Sequence, residues 1–226
     1  MKKTRIFLAS LALATIVAAP STAMAGGKNL SKSPPYWTFA APPPQGSTDL
    51  VRTKHGLFAK FRTTGLPAGH AVTLWIMFFD NPEACATPYA CNPDTDLGQP
   101  GVRFDFHYAG ARIVHENRTT FWGYLPINEV STSGFAELAA IGAAPPFFVT
   151  PLTNPKGAQV ILALHSHGPA QSGAALYEQL TSYLGGCNLP FLGDASGFAQ
   201  SFSDVPANEG ECSTVQVSFH NPPADD

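Results

Sequence analysis

The 226-residue chain reads as a mainly all-β protein, an antiparallel β-sandwich with one short covering helix and two disulfides. Three observations predict this class. Apolar and polar residues alternate over several short segments, the two-residue period of a strand with one buried face. Prolines and glycines, 21 and 20 of them, punctuate those segments as turns. Four cysteines fall in two pairs local in sequence, a pattern of proteins that fold in an oxidising compartment. A chain of this length can bury a substantial core in one domain.

The N-terminus carries Lys2, Lys3 and Arg5, an apolar run from Ile6 to Ala19, and then Ala23-Met24-Ala25. A positive region, an apolar region and a small-x-small site predict a secretory signal peptide over 1–25. The run is short for a bilayer span, and no cysteine follows the site to carry a lipid. Cleavage after Ala25 leaves 201 residues. It removes 3 of 13 basic residues and none of the 16 acidic ones, so 10 against 16 gives a net charge of −6 with histidines neutral. Such a mildly acidic, charge-poor surface argues against nucleic acid and against electrostatic attachment to anionic lipid. The expectation is an exported protein, periplasmic or secreted, with no membrane span after cleavage.

Residues 26–47 hold Pro34, Pro35 and Pro42-Pro43-Pro44, which lack backbone donors, so no regular structure is predicted there. Tyr36, Trp37 and Phe39 among them are available to dock or to meet a ligand. A single sandwich domain is expected over 48–226. Leu57, Ala59 and Phe61 alternate with Phe58, Lys60 and Arg62, and Gly65–Gly69 turns the chain. His70–Asp80 is apolar at nearly every position from Leu74 onward, as in a strand covered on both faces. Residues 81–100 form a long loop in which Cys85 and Cys91 enclose a turn-rich segment and pair.

Phe104, Phe106 and Tyr108 share one face of the next strand, with Arg103, Asp105 and His107 on the other. Ala111–Glu116 and Thr119–Leu125 are predicted to form a hairpin turning at Asn117-Arg118, and Ser133–Ile141 one or two helical turns. Ala158–Pro169 is the strongest strand candidate and carries the one tight histidine pair, His165 and His167. Ser172 is placed to cap a helix over Gly173–Leu184, with Leu176, Leu180, Tyr183 and Leu184 on one face and Gly185-Gly186 ending it. Cys187 and Cys212 complete the second disulfide, one of three possible connectivities. The spacing does not match C-x-x-C zinc ligation. Val215, Val217 and Phe219 alternate with Gln216, Ser218 and His220 in a last strand.

Residues two apart on a strand project to one side, with Cα atoms about 6.5–7 Å apart. His165 and His167 can therefore aim two imidazoles at one point. His107 and His220 on polar strand faces are the further ligands expected, with His115 and Asp105 as lesser options, in a site suited to Cu or Zn. The plainer reading leaves these histidines hydrogen-bonded within the fold. No catalytic residue is predicted. Gly193–Gly197 (G-D-A-S-G) is only faintly similar to a serine-protease nucleophile loop, which places serine directly after aspartate and follows it with two glycines, whereas an alanine intervenes here; no G-x-S-x-G elbow occurs. Nothing places two of Glu116, Glu129, Glu137 and Glu178 across a cleft. No phosphate-binding glycine loop is present. Alternation groups Trp122 with Tyr124 on one strand face. Core packing is their expected fate, and glycan recognition the alternative.

The segments Leu66–Cys85 (L-P-A-G-H-A-V-T-L-W, then F-D-N-P-E-A-C), Ser166–Ala170 (S-H-G-P-A), Gly185–Cys187 (G-G-C) and Cys212–His220 resemble a functionally uncharacterised group of exported bacterial β-sandwich proteins. The resemblance implies an exported sandwich and places His167 inside the S-H-G-P segment, with His165 outside it. The H-x-H strand is also similar in architecture to copper–zinc superoxide dismutase, whose remaining ligand pattern is absent here. The function expected is a binding or structural module for an unknown ligand, such as a glycan or a cell-envelope component. The alternatives are a Cu or Zn protein built on His165 and His167, and a carbohydrate-binding module using Trp122 and Tyr124.

Overall fold

A computed structural model of the chain describes residues 24–25, 29–38, 43–140, 148–187 and 212–223. The G-D-A-S-G segment and nearly all of the expected signal peptide lie outside these residues. The strands are β1 (Met24–Ala25), β2 (Leu30–Ser33), β3 (Tyr36–Trp37), β4 (Ser47–Thr53), β5 (Gly56–Thr64), β6 (His70–Phe79), β7 (Phe104–Ile113), β8 (Arg118–Pro126), β9 (Gln159–Pro169) and β10 (Ser213–His220). The helices are α1 (Pro93–Asp96), α2 (Gly134–Ala140) and α3 (Gly173–Thr181). All strand pairs are antiparallel, in two five-stranded sheets ordered β1-β2-β4-β5-β8 and β3-β10-β9-β6-β7. Among the described residues, no helix is long and apolar enough to cross a membrane.

Strand alternation explains how the layers form. Leu50, Leu57, Phe61, Phe121 and Leu125 of the first sheet meet Leu74, Ile76, Phe78, Leu162 and Leu164 of the second in one core. The intervening residues of the second sheet build another core on its far side. There Trp75, Met77, Phe79, Phe106, Ile161 and Ala163 pack under Phe135 and Leu138 of α2, Tyr183 and the Cys85–Cys91 bridge. This outer layer is why β6 and β9 are apolar at almost every position: both of their faces are buried. Among the described residues the first sheet has no such cover, and Phe58, Trp122 and Tyr124 on its outer face are exposed.

Four sequence expectations are corrected. Residues 26–47 do form structure, since β2 joins the first sheet and β3 the second; Tyr36 pairs with Val217 and Trp37 with Gln216. Prolines 34 and 35 sit in the link between these two short strands, outside either ladder, where a missing donor costs little. The expected hairpin over 111–125 is a crossover: Ala111–Ile113 stays paired to β6 and the chain then enters the first sheet as β8. Gly110 permits the close approach, because a Cβ there would lie 2.4 Å from the Trp122 carbonyl oxygen. Helix α3 stops at Thr181, and its buried residue is Gln179 rather than a leucine. Its amide donates to the carbonyls of His167 and Pro169 at 3.0 and 3.1 Å.

The fourth correction concerns β10. A register shift between Thr214 and Gln216 puts Val215 in the inter-sheet core and Val217 in the outer one, as a bulge does. Gln216, Ser218 and His220 therefore point between the sheets and are buried. They meet a polar seam on the first sheet: Gln216 accepts from Thr63 at 2.6 Å, and His220 meets Thr48 and Ser31 at 2.9 Å each. Arg52, 1 % exposed, crosses the same seam. Its guanidinium donates to the carbonyls of Pro155, Ala158, His220 and Asn221 at 2.7–3.2 Å, and burial lowers its pKa to about 10.

Candidate functional site

Among the described residues, two places have the makings of a site, one on each sheet. The first is the bare outer face of β4, β5 and β8. Register sets Phe58 opposite both Val51 and Tyr124, and Lys60 opposite both Asp49 and Trp122. The Phe58 and Tyr124 rings stack with centroids 4.3 Å apart. Lys60 Nζ lies 4.4 Å from the centre of the Trp122 ring, a cation–π distance. Trp122 is 66 % exposed, Phe58 47 % and Tyr124 40 %. Asp49 sits beside Lys32 and Arg62 at 3.9 and 3.8 Å. These side chains line a broad open depression of about 670 Å³.

An outward sheet face is ordinarily polar. Here adjacent strands place three large rings in water, bordered by charges of both signs. Core packing, the expected fate of Trp122 and Tyr124, does not occur. Alternation sends Phe121 and Leu125 inward on β8, and its even positions then face solvent. Phe58 and Lys60 complete the face and were not singled out from sequence. Their alternation with Leu57, Ala59 and Phe61 was readable, but the β5–β8 register that sets them beside Tyr124 and Trp122 was not.

The second place is the outer face of the other sheet, at the end of β9. His165 and His167 continue the row of Ile161 and Ala163 and are each about 1 % exposed. Their ring centroids are 4.9 Å apart at 77°, and His165 stacks on Tyr183 at 4.4 Å. Tyr183 is held there by Glu137 of α2, whose carboxylate accepts the backbone N–H groups of Tyr183 and Leu184 at 2.8 Å each. His167 Nδ1 lies 2.8 Å from the Gly185 carbonyl. A carbonyl only accepts, so Nδ1 carries the proton. Nε2 then accepts from the Thr73 hydroxyl at 2.9 Å, and that oxygen receives the Trp75 indole N–H at 2.7 Å. His165 Nδ1 is 3.5 Å from Thr214 Oγ1, while its buried Nε2 has no hydrogen-bond partner among the described residues.

The Cys187–Cys212 disulfide closes the cluster, with its sulfurs 3.9 and 3.8 Å from His167 Nδ1. One nitrogen of each imidazole and the two sulfurs all lie within 4.8 Å of one another. Gly185 is required beside it, since a Cβ would lie 2.0 Å from the Glu178 carbonyl oxygen. Burial pushes His165 well below the ordinary histidine range, helped by His167 and opposed by the Tyr183 backbone. Burial lowers His167 to about 4, against the Gly185 carbonyl. Both imidazoles are neutral at pH 7.

The structure does not bring His107 and His220 to this pair. His107 points to the other side of its sheet, with Nδ1 3.0 Å from Thr132 Oγ1 and Nε2 3.3 Å from Asp105. Asp105 also holds the Ser133 hydroxyl and the Thr150 amide, so this group pins α2 and the following loop to β7. His220 lies between the sheets. Burial first, then Arg52, lowers its pKa to about 3. Both histidines belong to strand faces that look polar in sequence but point inward. Cys85 and Cys91 are bonded beneath the outer core, so Cys187 and Cys212 are the cysteines next to the histidine pair. Comparison of the chain with protein-family models, with curated proteins and with solved structures finds no match.

Proposed function

We propose that this protein is an exported β-sandwich binding module, and that its ligand is a glycan held on the exposed face of β4, β5 and β8. The observation that carries this reading is the cross-strand arrangement of Phe58, Tyr124 and Trp122 in solvent beside Lys60 and Asp49. A pyranose ring has apolar C–H faces and a polar rim of hydroxyls. Flat aromatic rings match the faces, while lysine, arginine and carboxylate groups match the hydroxyls. The face is open and shallow, which suits an extended chain of sugars better than a small enclosed ligand. Exposing three large rings carries an aggregation liability, and ligand contact gives them a use.

Export rests on the charged, apolar and small-x-small order of residues 1–25 and on two disulfides, which persist in oxidising compartments. Removal of Met24 and Ala25 would leave β2 as the edge of the first sheet. The expected mature N-terminus is Gly26, checked by N-terminal sequencing of the exported product.

The binding test is a glycan array followed by affinity electrophoresis in soluble polysaccharides. A ligand found in this way should bind Trp122→Ala about 30-fold more weakly, the loss of roughly 2 kcal/mol typical of an anchoring aromatic. Thermal stability should hardly change, because the ring is in solvent. Absence of any glycan ligand, or equal retardation of the variant and parent chains, would reject the proposal.

A further inference from the structure

The His165–His167–Cys187–Cys212 cluster holds one chemical feature that the fold alone does not require. His165 Nε2 is buried and has no hydrogen-bond partner among the described residues, an unfavourable position for a polar atom cut off from water. His165 belongs to the same four-residue cluster as Cys187 and Cys212, in which one nitrogen of each imidazole and both sulfurs lie within 4.8 Å of one another. We propose that these four residues form a thiol-gated site for a soft or borderline cation, Zn(II) or Cu(I), closed by the disulfide and opened by its reduction. The site lies on the opposite sheet from the aromatic face, so the two readings stand or fall separately.

The donor set has the right chemistry. Two thiolates and two imidazoles make an S₂N₂ tetrahedron, which favours these ions over hard cations. Bond lengths of about 2.3 Å to sulfur and 2.0–2.1 Å to nitrogen give donor separations of roughly 3.3–3.8 Å. The donors now lie within 4.8 Å of one another, so the imidazoles need to close by about 1.5 Å at most while the bonded sulfurs part. The surrounding hydroxyls fit the bound state as well as the closed one. Binding through His167 Nδ1 moves its proton to Nε2, which then donates to Thr73 Oγ1. The Thr73 hydroxyl turns to the His165 carbonyl, 3.3 Å away, and still accepts from Trp75. His165 Nδ1 faces Thr214 Oγ1, leaving Nε2 for the ion. Each ligating imidazole would thus have an oxygen partner on its other nitrogen, as metal-bound histidines do. The Gly185 carbonyl loses its donor.

The opening step needs a dithiol reductant. One of its thiolates attacks the Cys187–Cys212 bond, and the resulting mixed disulfide is resolved by the second thiol. Two electrons and two protons pass to the protein, the reductant leaves as its own disulfide, and Cys187 and Cys212 become thiols. Binding a divalent ion then releases those two protons to solvent.

The test titrates Zn(II) into the purified chain against a chromophoric chelator, anaerobically, with and without prior phosphine reduction. Co(II) is the spectroscopic probe, and circular dichroism follows the fold. The reduced chain should take up one ion per molecule while keeping its β spectrum, and should gain thermal stability with Zn(II) by mass action. Bound Co(II) should show thiolate charge-transfer and tetrahedral visible bands. Binding should survive Cys85→Ser/Cys91→Ser, vanish in Cys187→Ser/Cys212→Ser, and weaken at least about 10-fold in His165→Ala. Equal uptake by the oxidised chain, uptake that survives loss of Cys187 and Cys212, or a reduced chain that unfolds or binds no ion would each overturn the proposal.

Discussion

Acidification from pH 6.5 to pH 5 should cost this protein several kcal/mol of stability, through histidines that stay neutral inside it. The folded pKa is about 4 for His167 and about 3 for His220, and that of His165 is also well below the ordinary value. In the unfolded chain each titrates near 6.5. The unfolded state therefore binds more protons throughout this window, and stability rises with pH across it. The contribution is present in full above about pH 6.5 and is lost as pH falls toward the folded values. For folded values of about 4 and about 3, the loss between pH 6.5 and 5 is roughly 3 kcal/mol for His167 and His220 together, and His165 adds to it in the same direction. That is a large share of a typical stability of about 5–15 kcal/mol. It corresponds to a fall of roughly 6–12 °C in Tm for a chain of this size. Urea unfolding at closely spaced pH values, with an unchanged m-value, measures the slope directly. A flat urea midpoint between pH 6.5 and 5 would refute the claim that these imidazoles are held neutral by burial.

Two further outcomes concern the covalent and polar ties of the outer layer. By the chain-entropy account, replacing Cys187 and Cys212 by serine should cost about 3.5 kcal/mol and replacing Cys85 and Cys91 about 2 kcal/mol. The ranking follows their sequence separations of 25 and 6, and denaturant unfolding of the two double variants checks it. Glu137→Gln keeps one acceptor but turns an amide donor toward a backbone N–H. It should destabilise the fold by about 2 kcal/mol and change the near-ultraviolet dichroism of Tyr183, whose backbone Glu137 holds over His165.

The strands were legible in sequence because their period is local. His70–Asp80 reads as a strand covered on both faces and Ala158–Pro169 as the strongest strand candidate; β6 and β9 are both strands, each buried on both faces. Both disulfides follow from sequence proximity. What stayed hidden depends on register or direction. Alternation groups Gln216, Ser218 and His220 but does not say which group points inward, and the shift at Thr214/Gln216 divides Val215 from Val217. The same limit turned an expected hairpin into a crossover between sheets, because nothing local says which strand Ala111–Ile113 will pair with. Of the candidate sites, the pairing of His165 with His167 and of Trp122 with Tyr124 was readable within single strands. The partners that complete each group, Phe58 and Lys60 on one side and Tyr183 with the Cys187–Cys212 bridge on the other, are supplied by other parts of the chain.

Arg52 sets a condition on the order of assembly. It belongs to an early strand, yet four carbonyls from residues 155 to 221 share its charge, two of them at the far end of the chain. A chain in which β10 has not yet docked would have to bury a cation with half of its acceptors missing, so the two sheets cannot close firmly over that seam. Docking of β10 thus acts as a late checkpoint, and substitutions that unseat β10 should leave the protein conspicuously open to proteolysis.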